Sequence, residues 1–117
     1  MTDFLFVYGT LRGDAQNPWA RHLRAEAELV GPATVRGSIF RIAHYPAYRP
    51  EPDGEVQGDV FRLTDPTRVF SLLDDYEGPS YTRVRIPVST GEFAWIYQYN
   101  RQPPLSSRIA SGDFREK

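Results

Sequence analysis

The chain has 117 residues, 40% of them apolar and 14% aromatic, a formal net charge of -1 and no cysteine. That length and apolar content fit a single domain, residues 1–117, with a packed core, and exclude the composition of a disordered chain. The near-neutral charge provides no broad basic field for nucleic acid, and the lack of cysteine removes disulfides, thiolate nucleophiles and cysteine-ligated zinc.

Residues 4–8, Phe-Leu-Phe-Val-Tyr, form a continuous apolar run that ends at Gly9. This predicts a central strand buried on both faces. Asn17-Pro18 is a helix-start signal, and a helix from about 18 to 27 would bury Trp19, Leu23 and Ala27. Residues 34–42 alternate as a strand with a weak point at Gly37, and His44 to Gly54, with three prolines, reads as a loop. Glu55 to Leu63 is a further strand, interrupted by Gly58. Thr64-Asp65-Pro66 opens a second helix, with Val69, Phe70, Leu72, Leu73 and Tyr76 as its apolar stripe.

Tyr81 to Ser89 alternates cleanly, Thr90-Gly91 turns, and Phe93 to Tyr99 returns as an aromatic strand. Pro87 has no N–H to donate, so it belongs at a sheet edge or a bulge. The tail from Asn100 reads as an irregular wrap over the domain. The fold expected is α+β: about five strands and two short helices, the strands largely antiparallel and curved into a small mixed barrel, with Gly37 and Gly58 suited to its bends. No apolar run reaches the ~18 residues of a membrane helix. Met1 to Phe4 has no basic stretch ahead of an apolar one. The expectation is a cytoplasmic protein with no membrane partner.

Two places invite chemistry. Asp74, Asp75 and Glu77 fall in the last turn of a helix that Gly78 stops. The negative end of a helix disfavours carboxylates by about 0.3–1 kcal/mol each, so three of them break a local preference. One reading makes Glu77 a general acid/base, its pKa raised by burial, the helix terminus and the two aspartates. The other has all three side chains in water, and the residues alone leave both open. Tyr8-Gly9-Thr10-Leu11 is the second place. A tight turn after a strand can aim successive N–H groups at a carboxylate or oxyanion, although strand-Gly-Thr is also an ordinary turn.

Other candidates are weaker. His22 and His44 have no metal-ligand spacing, Ser38 is not in a nucleophile elbow, and the remaining serines lie in the tail. Neither a metal nor a cofactor is expected. Arg12-Gly13-Asp14 matches an adhesion tripeptide, a match too short to carry weight.

Taken together, these motifs resemble the gamma-glutamylcyclotransferase-like family, especially its short bacterial members and the gamma-glutamylamine cyclotransferases. The resemblance runs through Val7-Tyr8-Gly9-Thr10-Leu11-Arg12, Gly13, Asn17, Tyr45-Pro46-Ala47 and Val56-Gln57-Gly58-Asp59-Val60-Phe61. It continues through Leu73-Asp74-Asp75-Tyr76-Glu77-Gly78, Tyr81, Arg83, Ala94-Trp95-Ile96-Tyr97 and Ile109 to Phe114, which stands where tryptophan is common. The resemblance implies a small mixed α/β barrel, Glu77 as the active-site glutamate, and Tyr8, Gly9, Thr10 and Leu11 as the substrate-holding loop. The implied partner is a small γ-glutamyl compound, cyclised to 5-oxoproline with release of a free amine. A scaffold of the same fold that binds a small carboxylate or a protein without turnover, and a hydrolase or transferase using the same loop and base, are the alternatives. Neither the amine released nor the oligomeric state follows from the sequence.

Overall fold

A computed structural model describes residues 3–9, 18–43 and 45–114. Within it, β1 (Asp3–Val7) is followed by α1 (Pro18–Glu26), β2 (Ala27–Arg36), β3 (Ser38–Ile42), β4 (Tyr45–Arg49) and β5 (Glu55–Leu63). Then come α2 (Pro66–Glu77), β6 (Tyr81–Pro87), β7 (Phe93–Tyr99) and a single 3-10 turn at Leu105–Ser107. The strands form one mixed sheet in the order β2-β5-β1-β7-β4-β3, with β6 also paired to β7. It curls into a half-barrel, as the sequence predicts.

β1 is the central strand. Antiparallel β5 lies on one side and parallel β7 on the other. Its side chains alternate between two cores, which is why the run reads as continuously apolar. Phe6 joins Ile39, Tyr48, Val56, Val60 and Ile96 inside the curl. Leu5 and Val7 face Leu23 of α1 and Val69, Phe70 and Leu73 of α2 on the outer face. Trp19's side chain and the Asn17 cap lie outside the described residues. The C-terminal segment closes over the inner core, with Ile109 and Phe114 packed against it and a bridge from Arg108 to Phe40.

Two expectations need correction. The strand expected over 34–42 is two strands, because Gly37 breaks it at φ 141°. A side chain there would also meet the Arg49 carbonyl oxygen at 2.7 Å. The loop expected over 44–54 contains β4, since Pro50 and Pro52 follow the strand and only Pro46 sits within it, opposite Arg41 of β3. Pro87 ends β6, which pairs only with β7 and is an edge, as its missing N–H requires.

The sheet's layout creates the site. β6 covers one edge of β7 over its full length. β1 and β4 share the other edge, β1 at Leu5–Trp95 and β4 at Tyr48–Gln98, both parallel to β7. The C-terminal end of β1 therefore meets the N-terminal end of β4, and a crevice opens where β7 changes partner. Among the described residues, no helix is long and apolar enough to cross a membrane.

Candidate active site

Glu77 owes its position to the way α2 begins and ends. Asp65 caps the helix by accepting from the Arg68 N–H at 3.2 Å, and Pro66 fills the first turn. Val69, Phe70 and Leu73 bury the helix on the outer core. Gly78 ends it at φ 79°, its N–H donating to the Asp74 carbonyl at 3.0 Å. A residue with a Cβ rarely adopts that conformation, so the glycine fixes the last helical residue as Glu77.

Tyr8 and Gly9 arrive from the end of β1. The Tyr8 hydroxyl donates to the Tyr97 carbonyl of β7 at 2.6 Å and accepts from the Tyr48 N–H of β4 at 3.3 Å. It thus pairs two backbone groups at the point where the parallel ladder changes strands. Gly9 lies so close to Pro46 of β4 that a Cβ there would overlap the proline ring. Pro46 is held in turn by the Tyr81 hydroxyl, which donates to its carbonyl at 2.7 Å.

These elements enclose a cavity of about 330 Å³, at the small end of the range for ligand sites. Tyr8, Gly9 and Glu77 all line it, with Phe6, Val7, Ile42, Tyr45, Pro46, Tyr76, Ser80, Tyr81, Tyr97 and Tyr99. Thr10 and Leu11 lie outside the described residues. Among the described residues of this lining, Glu77 is the single carboxylate, amid six tyrosines. Burial pushes its pKa up to about 7. The cause is narrower than expected. Asp74 and Asp75 are exposed, and the Asp74 carboxylate is taken up by Arg83 and Tyr97. Burial, and then the Glu77 charge, hold the Tyr81 phenol well above its ordinary value; burial first and then Glu77 do the same for Tyr8. Both hydroxyls therefore stay protonated near the carboxylate.

Sequence reasoning missed the tyrosine wall. Its signal was present: Phe93, Trp95, Tyr97 and Tyr99 recur at period two in β7, which puts them on one face. It also missed Pro46, placed in a loop. His22 is exposed and His44 lies outside the described residues. Ser38 is buried, donating to Glu51 at 2.7 Å and accepting from Arg108 at 3.1 Å, away from the cavity lining. Among the described residues, no group of three or more acidic or histidine side chains is placed to hold a metal ion.

The family described as "Gamma-glutamyl cyclotransferase, AIG2-like" matches residues 5–116. The chain belongs to this family. Two relatives, from Vibrio cholerae and Bacillus subtilis, are each 30% identical and both bear the name "Putative gamma-glutamylcyclotransferase", the second with the designation YkqA. The match covers all of this chain and 99% of the Vibrio protein, but 99% of this chain and only 42% of YkqA. The solution structure of Escherichia coli ytfP is similar at a TM-score of 0.70 and 30% identity, over 97% of this chain and 96% of that one. A crystal structure of an uncharacterized Pyrococcus horikoshii protein has a TM-score of 0.77 at 24% identity, over 96% and 89%. At that identity it bears on the fold alone.

Proposed function

We propose that the protein is a γ-glutamylcyclotransferase that converts a γ-glutamyl amide to 5-oxoproline and a free amine, with Glu77 as its acid/base. The observation that carries this reading is that Glu77, the one carboxylate among the described lining residues and with a pKa of about 7, shares a cavity of small-molecule size with the end of β1. A base that titrates near neutrality is matched to proton transfer at physiological pH. The family membership and the names of the relatives support the same reaction class.

The chemistry is intramolecular. A γ-glutamyl amide carries its nucleophile, the α-amine, and its electrophile, the γ-carbonyl, in one chain. A cavity that holds the folded conformer brings the two into attack distance, replacing a bimolecular encounter. Glu77 in its carboxylate form takes a proton from the α-ammonium, and the freed amine attacks the γ-carbonyl carbon. A C–N bond forms, and the carbonyl oxygen becomes an oxyanion. The tetrahedral species then expels the amide nitrogen. Of the three ammonium protons one stays on the lactam nitrogen, and two reach the departing amine, passed by Glu77, so atoms and charge balance. Backbone N–H groups of Gly9, Thr10 and Leu11 are assigned to the α-carboxylate or the oxyanion.

The test is direct. Purified protein is incubated with γ-glutamyl amines, γ-glutamyl dipeptides and glutathione, and 5-oxoproline is measured. Glu77→Gln keeps the shape but cannot accept the ammonium proton, so turnover is expected to fall about 10²–10⁴-fold. Full activity in that variant eliminates Glu77 as the base. A wild type inert on every compound favours a binding scaffold without turnover.

A further inference from the structure

Tyr97 stands between the cavity and a shallower groove that holds Asp74, Gly78 and Arg83, and it lines both. The residue is 5% exposed. Its hydroxyl donates to Asp74 Oδ1 at 2.6 Å. Asp74 is also gripped by Arg83, whose Nε lies 3.3 Å from the same Oδ1 and whose Nη2 lies 3.3 Å from Oδ2. The Arg83 guanidinium is itself fixed, 3.9 Å above the Phe70 ring and 5.0 Å from that of Trp95. An ionised carboxylate can only accept, and a phenol has a single proton. With that proton committed to Asp74, the capacity left to the oxygen of Tyr97, a residue of the cavity lining, is to accept.

An α-amino group needs such a partner. As ammonium or as amine it presents N–H donors. Holding one of them fixes where the lone pair points once Glu77 has taken its proton, and attack on the γ-carbonyl depends on that direction. We propose that Asp74 is a positioning residue for this reaction: by holding the Tyr97 proton, it sets the Tyr97 oxygen to receive an N–H of the substrate's α-amino group beside Glu77. The proposal rests on the cyclotransferase reading. Burial, the Asp74 bond and the Asp74 charge, and after them Glu77, keep the Tyr97 phenol well above its ordinary pKa, so it remains the neutral hydroxyl that the arrangement needs.

Tyr97→Phe, Asp74→Ala and the double variant test it. Each is assayed on the γ-glutamyl amide that the wild type turns over fastest. Inhibition is measured with the same amide lacking its α-amino group. Each single variant is expected to lower kcat/KM about tenfold, and the double variant to fall within about twofold of either single, because both remove one interaction. Inhibition by the amine-free analogue is expected to stay within about twofold of wild type. Three results would overturn the proposal: losses that multiply in the double variant, an unchanged rate in Tyr97→Phe, or analogue binding that weakens in step with kcat/KM. The last would make Asp74 a support for the helix end only. Should Asp74→Ala fail to fold, Tyr97→Phe, which retains the ring, decides alone through its rate and its analogue binding. A wild type that forms no 5-oxoproline refutes the reaction and this proposal with it, whereas the other failures leave the reaction standing.

Discussion

At Glu77, one titration governs both a contribution to stability and the proposed proton transfer. Its folded pKa of about 7 exceeds the ordinary 4.5, and burial is the cause. Below pH 4.5 the group is protonated in both folded and unfolded chains and contributes nothing to the difference. Between 4.5 and 7 the folded state binds more protons than the unfolded one, so stability falls as pH rises. Above 7 the cost is complete, at up to about 3 kcal/mol. Glu77→Gln is therefore expected to be more stable than wild type at pH 8, with the gap closing toward pH 4.5; urea unfolding midpoints at several pH values measure it. A gap that does not vary with pH would mean that Glu77 is solvated. The same titration should appear in catalysis: kcat/KM rises with pH as Glu77 ionises, with an apparent pKa near 7.

At the scale of elements, the site depends on two backbone ends. Gly78→Ala places a Cβ at φ 79°, with no atom within 4 Å of it, so the cost is conformational and not steric. About 1–2 kcal/mol is expected, seen as a melting temperature lower by several degrees, with turnover reduced because the helix end carries Glu77. Gly9→Ala acts differently. Its Cβ would overlap Pro46 and push the end of β1 from the start of β4. A displacement near 1 Å at a positioning element costs about 10² in rate, so kcat/KM is expected to drop by that order while far-ultraviolet circular dichroism stays native. Wild-type kinetics in the Gly9→Ala variant would show that the loop does not depend on this contact.

The whole molecule is organised around the change of partner along β7. At that junction strand pairing leaves the Tyr97 carbonyl and the Tyr48 N–H to be met by a side chain, and the Tyr8 hydroxyl meets both. Tyr8→Phe leaves two buried backbone groups without that partner. A loss of about 1–3 kcal/mol is expected in urea unfolding. An unchanged midpoint would mean that the strands hold the junction by themselves.

Elements whose signals are local are legible in the amino-acid sequence. The cap and proline at 65–66, the stripe from Val69 to Tyr76 and the glycine at 78 define α2, and period-two alternation defines the β6–β7 hairpin. The continuous apolar run of β1 reveals a strand buried on both faces, because such a strand has no polar side to alternate with. Glu77 stood out for a local reason too, as a carboxylate at the unfavourable end of a helix. Tertiary structure decided what depends on distant partners. β4 exists despite Pro46 because β3 and β7 pair with it, and the first half of β2 shows little alternation because an edge strand there is largely exposed. The site is of the same kind: residues 8–9, 45–46, 77, 97 and 99 meet only because β1 and β4 share one edge of β7. Burial, which raises the pKa of Glu77, is a property of that meeting. A helix-end carboxylate in the same local sequence would titrate as an ordinary glutamate if the sheet did not fold a cavity around it.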